Sequence, residues 1–324
     1  MIHKTLCLWI LASTTALCGR CCASEIEFSI DVMSVLSKAG CNAGTCHGNL
    51  NGKGGFKLSL RGQDPEHDFQ SLVLASRGRR ISTTAPQQSL FLQKATGAVP
   101  HRGGTRFSPL SKEYQVLLRW LREGARGPST KTARVTKLVV QPSDAIIITP
   151  QRDVSIQVDA MFSDGSVRDV TDRACYELSN LNATVDADGR VSRMKHGETT
   201  LIVRYLQSQA AMPIAFIKKL PDFHWSDPAE NNEVDAHIFA KLKQLRVNPS
   251  PLCTDTVFVR RAYLDSIGRI PTAEEAKRFV TDSRRDKRNK LIDHLLLQPE
   301  FADFWALKWA DVLRAEEKVL DTKG

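Results

Sequence analysis

The sequence lacks the short motifs that mark several common catalytic classes. It has no GxSxG nucleophile turn, no HExxH metalloprotease pair and no glycine-rich phosphate loop, so nothing in it indicates hydrolase or kinase chemistry. It also lacks a long apolar run. The run at residues 5–17 is shorter than the roughly 20 residues that a membrane-spanning helix requires. We therefore predict no transmembrane span once the N-terminal segment is removed.

That N-terminal segment predicts export. Lys4 precedes the apolar run, and small residues occupy the −3 and −1 positions of a cleavage site before Ser24. We predict a signal peptide over residues 1–23 and a mature protein that is periplasmic or at the cell surface. Outside the cytoplasm thiols tend to be oxidised or otherwise occupied. Four of the eight cysteines would remain after cleavage: Cys41, Cys46, Cys175 and Cys253.

The net charge of the chain limits the classes of partner that we expect. The formal net charge is +9, and residues 1–23 carry two cations and no acid, so the mature protein would carry +7. This mild excess of positive charge favours solubility or an acidic redox partner over binding to nucleic acid. We therefore predict that the protein does not bind nucleic acid.

The functional prediction depends on the run Cys41-Asn-Ala-Gly-Thr-Cys46-His47-Gly48. Two thiols can anchor a haem through its vinyl groups, and an imidazole directly after the second can bind its iron. The four-residue gap between the cysteines is longer than that of the usual C-x-x-C-H motif. A Cys41–Cys46 disulfide and half of a zinc site are alternative interpretations, although no second Cys/His pair follows at short spacing. The motif alone leaves these alternatives open.

The flanking segments predict a small all-α domain over residues 24–127. Apolar residues recur at roughly helical spacing before Cys41, and residues 111–123 give the clearest helix, with Gly124 as its stop. Between them, residues 67–75 predict a helix, and the alternating run at 56–60 predicts a short strand or extended segment. Helices at both ends, with loops between them, fit a small haem-binding domain.

A second iron ligand would have to be a nitrogen donor, because there is no methionine between Gly48 and Trp120. The available donors are His67 and His101. His101 follows a stiffening proline and precedes two glycines, and we predict it as the distal ligand. A bis-histidine site has a lower reduction potential than a His/Met site. His67 lies between two acidic residues at a helix start, so we predict a solvated surface position for it.

Two blocks of this region resemble the planctomycete-type cytochrome c domain, which heads large exported proteins of unknown physiological role. They are VLSKAGCNAGTCHGNLNGKGGFKLSLRGQDP and PHRGGTRFSPLSKEYQVLLRWLREGA, and the resemblance covers residues 28–125. It implies covalent haem c on Cys41 and Cys46, with His47 as the proximal ligand. The distal role of His101 is our inference from the second block. Four arginines are compatible with pairing to haem propionates, although solvation is the commoner explanation: Arg61, Arg77, Arg79 and Arg80.

After a linker at residues 128–133, the pattern changes to short alternating strands over residues 134–218. About seven strands separated by Asp-Gly turns predict a β-sandwich. The run DVSIQVDAMFSDGSVRDVT resembles a bacterial immunoglobulin-like domain of group 2, which implies a spacer or binding scaffold. We predict that Cys175, beside Tyr176 at a predicted strand, is a buried core thiol.

A second linker at residues 219–228 precedes a helical domain over residues 229–324. Five helices are predicted, at 233–245, 255–267, from Thr272, 285–297 and 299–313, and Thr272-Ala-Glu-Glu275 is a capping box. The run RRAYLDSIGRIPTAEEAKRFV resembles the opening of the uncharacterised helical domain that follows such cytochromes. We expect this domain to be incomplete in the present sequence.

The expected protein is thus a multidomain chain: a small all-α cytochrome c-like domain, then an immunoglobulin-like β-sandwich, then an all-α helical domain. The first functional hypothesis is an exported haem c protein that transfers electrons to or from an unknown partner. The second is an exported surface or carbohydrate-associated scaffold, whose partners would include polysaccharide and whose cysteine motif would be only a disulfide. A haem enzyme is a third possibility and would need an open distal site, without His101 on the iron.

Overall fold

The computed structural model describes residues 25–315, which form two compact units, residues 25–223 and 224–315. The predicted signal peptide lies outside the described residues. Among the residues that are described, no helix has the length and apolar character needed to cross a membrane.

The first unit begins with short helices connected by turns. A π-helical turn, Phe28–Val32, leads into α1, Met33–Lys38. The other helices are α2 (Pro65–Phe69), which continues as a π-helical turn at Gln70–Leu74, α3 (Leu90–Thr96) and α4 (Lys112–Arg122). Short 3₁₀ turns occupy Leu60–Gly62, Ala75–Gly78 and Pro86–Gln88. The middle of this region is therefore turn-rich, and helix α3 was not predicted.

The sequence left a short strand or an extended segment open for residues 56–60, and the strand does not form. Phe56 makes only an isolated bridge with Lys53, and residues 57–59 belong to no strand. The glycines between His47 and Phe56 explain this, since Gly52 adopts a left-handed conformation (φ 65°) and a Cβ there would lie 2.3 Å from the Phe56 carbonyl oxygen. The residues between His47 and Phe56 therefore form a tight glycine-rich loop, whose end lies beside its start.

The core of this helical part surrounds one face of α4. Ser111 caps the helix by accepting a hydrogen bond from the Tyr114 N–H. Leu117, Trp120 and Leu121 are fully buried, as the helical period predicts for one apolar face. The Trp120 ring packs 5.5 Å from that of Phe28, between centroids, so α4 holds the turn that precedes α1.

The rest of the first unit is β-rich, as predicted, with ten strands in the described residues instead of about seven. Their bounds are β1 Val135–Gln141, β2 Ala145–Ile148, β3 Asp153–Ser155, β4 Gln157–Phe162, β5 Val167–Asp169, β6 Cys175–Leu178, β7 Ala183–Val185, β8 Arg190–Arg193, β9 Gly197–Tyr205 and β10 Ser208–Ile217. They form three sheets of order β1-β4-β5, β2-β10-β9-β6 and β3-β8-β7.

These sheets enclose one apolar core, which includes Val158, Val191, Leu201 and Phe216. β2 pairs in parallel with β10, whereas the other pairs are antiparallel. Cys175 is half-buried, and burial raises the pKa of its thiol. The immunoglobulin-like assignment stays a prediction.

Within the first unit, the helical part packs directly on the β-rich part. Ile30 is buried in the β core. Asp31 forms an ion pair with Arg173, and the Lys38 ammonium donates to the carbonyl oxygens of Ala174 (2.8 Å) and Ala187. The end of α1, three residues before Cys41, is thereby tied to the β-rich part.

The second unit consists of five helices within the described residues: α5 Glu233–Leu245, α6 Asp255–Ile267, α7 Ala273–Thr281, α8 Lys287–Leu296 and α9 Pro299–Leu313. Its small core centres on α6, where Val259, Tyr263 and Ile267 are buried at helical spacing. The predicted capping box at the start of α7 is confirmed, with Thr272 and Glu275 each bonding the other's backbone N–H.

Candidate functional site

The cysteine motif is a closed turn that follows α1. The Cys41 N–H donates to the Leu36 carbonyl oxygen (2.9 Å), and the His47 N–H returns to the Cys41 carbonyl oxygen (3.0 Å). Gly48 is sterically required, because a Cβ at this position would lie 2.0 Å from the Asn42 carbonyl oxygen. The motif therefore has one compact conformation that presents Cys41, Cys46 and His47 together.

Both cysteines of the motif are free, half-buried thiols. Cys41 packs against the helical core, and burial raises the pKa of its thiol to about 11, with the positive charge of Arg106 acting in the opposite direction. Cys41 is accordingly a neutral thiol at physiological pH. The structure does not form the Cys41–Cys46 disulfide of the alternative interpretation.

His47 is held in one tautomer. Its Nδ1 lies 2.9 Å from the Phe56 carbonyl oxygen, and because a carbonyl can only accept, Nδ1 carries the proton. The lone pair is then on Nε2, the nitrogen available to bind a metal. Burial lowers the pKa of His47, and nearby His101 lowers it further. The glycine-rich loop thus has a chemical consequence, because it places the Phe56 carbonyl oxygen next to the His47 ring.

His101 has the same arrangement in a different loop. Its Nδ1 donates to the Gly104 carbonyl oxygen (3.0 Å), so its lone pair is also on Nε2. The loop is closed by the Gly104 N–H, which donates back to the His101 carbonyl oxygen (2.9 Å), and by the Lys94 ammonium on the Pro100 carbonyl oxygen (2.9 Å).

The structure brings the two histidines together. Their ring centroids are 6.2 Å apart and their planes differ by 9°. A metal–imidazole bond is about 2 Å long and a ring centroid lies roughly 1 Å beyond the bonded nitrogen, so two imidazoles on one metal ion have centroids about 6 Å apart. The spacing of the two ring centroids therefore fits one iron with two imidazole ligands. A hydrogen bond from the second ring nitrogen to a carbonyl is the usual support for a metal-binding histidine.

The other histidine of this region, His67, is not part of the pair. It lies on α2, where its Nε2 is 3.4 Å from the Ser71 hydroxyl. Across residues 25–315, no three or more His, Cys, Asp or Glu side chains are grouped as a bare metal ion would need, so the zinc interpretation gains no further ligands there.

Arg106 is a residue that sequence reasoning missed. Its Nε donates to the Ala39 carbonyl oxygen (2.7 Å) and its Nη1 to the Gly103 carbonyl oxygen (3.2 Å). One guanidinium therefore connects the end of α1, two residues before Cys41, to the loop of His101. The only available signal was its place in the block that also contains His101.

Of the four arginines considered for haem propionates, Arg80 is connected to His47 through the Phe56 ring. Its guanidinium stacks over the Phe56 ring at 4.7 Å, and that ring is itself 4.7 Å from the His47 ring, between centroids. It also donates to the Ser71 carbonyl oxygen (3.0 Å). Arg61, Arg77 and Arg79 are exposed.

Comparison with known proteins identifies only the C-terminal region. Residues 233–323 match a family model described as "PSCyt2: Protein of unknown function (DUF1549)", which confirms the expected uncharacterised helical domain. The cytochrome c resemblance of residues 28–125 stays a prediction. No curated protein matches the chain.

One solved structure with detectable similarity is described as "Structure of surface layer protein SbsC, domains 1-6". It is 13% identical over 28% of this chain, with a TM-score of 0.24, and the match spans only 14% of that chain's length. A similarity at this level supports no inference about fold or function.

Proposed function

We propose that this chain is an exported c-type cytochrome-like protein that binds haem c covalently and exchanges electrons with a partner protein. The observation that carries the proposal is the His47–His101 pair, 6.2 Å between centroids. A disulfide-bonded scaffold would have no need of two imidazoles at this spacing, each with its Nδ1 on a backbone carbonyl.

Each residue of the site has a distinct role. Cys41 and Cys46 would hold the haem through thioether bonds, and His47 and His101 would bind its iron as the proximal and the distal ligand. When bound, the haem supplies a reversible one-electron iron couple. The carbonyls of Phe56 and Gly104 fix the ring orientation of the two imidazoles and leave each Nε2 free of a proton. Two imidazoles, without a methionine, favour a low reduction potential.

The other parts of the chain are proposed as a scaffold. The β-rich part fixes the end of α1 through Lys38, and so supports the segment from which Cys41 projects. A periplasmic or cell-surface location follows from the predicted signal peptide, and it would give the haem domain access to an exported redox partner.

The proposal is tested by producing the full chain in a host with cytochrome c maturation. We expect a pyridine haemochrome spectrum of haem c and haem staining after denaturing electrophoresis, both lost in Cys46→Ala. Cys175→Ala is the matched control and should retain both signals, because Cys175 lies on β6. Unmodified protein with a Cys41–Cys46 disulfide and no covalent haem would contradict the proposal and favour the scaffold hypothesis.

A further inference from the structure

The positive charge of this protein is concentrated in the region that carries the histidine pair. Residues 25–127 contain 14 Lys and Arg against 8 Asp and Glu, a net charge of +6. Residues 134–218 contain 10 of each kind, and residues 219–324 contain 18 of each. Both of these regions are neutral, so the excess belongs to the candidate haem region.

Within that region, the two segments that contain His47 and His101 have no Asp or Glu residues. Residues 32–63, which include His47, contain four cations and no acid. Residues 69–112, which include His101, contain seven cations and no acid. These eleven cations therefore have no acidic neighbour in their own segments to neutralise them.

Five of the eleven have structural partners in the first unit: Lys38, Arg80, Lys94, Arg106 and Lys112. The other six are exposed, and among the described residues none of their side chains has an ion pair or a hydrogen bond. These six, which we call the basic surface, are Lys53, Lys57, Arg61, Arg77, Arg79 and Arg102.

The basic surface lies on the loops that build the site. Lys53 lies in the glycine-rich loop after His47, where it forms a bridge with Phe56. Arg102 directly follows His101. Arg77 and Arg79 precede Arg80, which stacks on Phe56 beside His47. Arg61 donates its backbone N–H to the Asn42 carbonyl oxygen inside the cysteine motif (3.1 Å).

Unpaired like charges at this density repel one another, and their field attracts an anionic partner and increases its association rate. Haem propionates could neutralise at most about two of the six, since a haem has two such groups. An anionic polysaccharide would have no reason to bind at the imidazole pair. A partner that exchanges electrons does have a reason to bind there, because it has to approach the iron.

We propose that the basic surface is the docking site for an acidic electron-transfer protein. This inference rests on the proposed haem function. It extends that function by assigning the charge of the partner and the residues that the partner contacts.

The first experiment measures electron transfer from the reduced holoprotein to two inorganic oxidants of opposite charge. We expect the rate with hexacyanoferrate(III) to fall about tenfold between ~0.01 and ~0.3 M salt, and the rate with hexaammineruthenium(III) to rise. The variant Lys53→Glu/Arg102→Glu should lower the hexacyanoferrate rate at low salt and flatten its salt dependence.

The matched control reverses two exposed charges in the β-rich part, Lys137→Glu/Lys195→Glu. It changes net charge by the same amount and should alter neither rate by more than a small factor. Covalent haem with salt-independent rates, or equal effects in the two double variants, would overturn the docking proposal and leave the haem function in place.

The second experiment needs no haem. Protein made without cytochrome c maturation should bind fluorescein-labelled poly-L-glutamate, measured by anisotropy, with an affinity at least tenfold weaker in Lys53→Glu/Arg102→Glu. Binding unaffected by these changes, or specific binding to alginate in place of polyglutamate, would overturn the proposal of an acidic protein partner. Binding that depends on them, in a chain that never acquires haem, would overturn the proposed function and with it the redox role of the partner.

Discussion

The imidazole rings of His47 and His101 lie within 9° of parallel, with their centroids 6.2 Å apart. They come from separate loops, and each Nδ1 donates to a backbone carbonyl of its own loop. Both lone pairs are therefore on the Nε2 atoms, at a ring spacing that suits one shared metal ion.

Replacing the distal imidazole should separate attachment from ligation. We expect His101→Ala to retain the pyridine haemochrome signal of covalent haem, because both cysteines and His47 remain. Its ferric absorption and electron paramagnetic resonance spectra should change from low-spin to high-spin. His101→Met should raise the reduction potential relative to the parent protein, since methionine ligation favours the ferrous state. His67→Ala is the control, and a low-spin spectrum in His101→Ala would show that another group is the distal ligand.

Arg106 should act as a positioning residue for this pair. Arg106→Leu removes hydrogen bonds to the carbonyls of Ala39 and Gly103, and bonds that involve a charged partner contribute roughly 1.5–3 kcal/mol each when buried. Because the side chain is only half-buried, we expect a loss of about 2 kcal/mol in the free energy of unfolding, measured in urea.

A purely structural role for Arg106 would leave the haem spectrum unchanged. We expect instead a mixture of low-spin and high-spin haem in Arg106→Leu, with little rescue by Arg106→Lys, because an ammonium lacks the planar fork that reaches two carbonyls. Arg102→Leu, on the same loop but with an exposed side chain, should retain the low-spin spectrum. Equal spectra in all three variants would contradict this role.

The long helices could be predicted closely from the sequence, whereas some β elements could not. The predicted helices at 233–245, 255–267 and 299–313 match α5, α6 and α9 residue for residue, because apolar spacing and end signals agree there. β10 could not be predicted because Pro213 argues against a central strand. That proline is tolerated because β2 pairs with β10 only from Ile214 onward.

The candidate site shows a similar division. The cysteine motif and both histidines could be chosen from residue types and spacing. Their relation to each other depends on how the loops close, through the carbonyls of Phe56 and Gly104. Arg106 could not be identified, because its partners are backbone oxygens in distant segments and backbone atoms have no signature in the sequence.

The compact motif predicts different tolerances at its two glycines. Gly48→Ala places a Cβ 2.0 Å from the Asn42 carbonyl oxygen, whereas a Cβ at Gly44 meets only Leu60, at 3.8 Å. We expect Gly48→Ala to lose about 2 kcal/mol or more of unfolding free energy and most of its haem attachment. Gly44→Ala should lose less than about 0.5 kcal/mol. Urea unfolding and haem content give the comparison, and similar losses at both positions would contradict the closed turn.

The last prediction concerns pH and the second unit. Hydrogen bonds from Arg269, at 2.9 and 3.0 Å, together with the Thr272 N–H, hold the pKa of Glu275 at about 2, below its ordinary value of 4.5. A carboxyl whose pKa is lowered by folding stabilises the folded state fully above its unfolded pKa. This contribution is lost as the pH falls from about 4.5 towards 2.

Glu275→Gln should therefore cost roughly 1–3 kcal/mol at pH 7, with the difference from the parent protein shrinking between pH 4.5 and 2. Urea unfolding followed by circular dichroism at pH 7, 4 and 2.5 measures it. Because other carboxyl groups also titrate in this range, the informative quantity is the difference between the two proteins. Glu274→Gln removes an exposed neighbouring charge on the same helix and should give a small, nearly constant difference. If the Glu275→Gln difference were independent of pH, the Arg269–Glu275 pair would not be the source of the stabilisation.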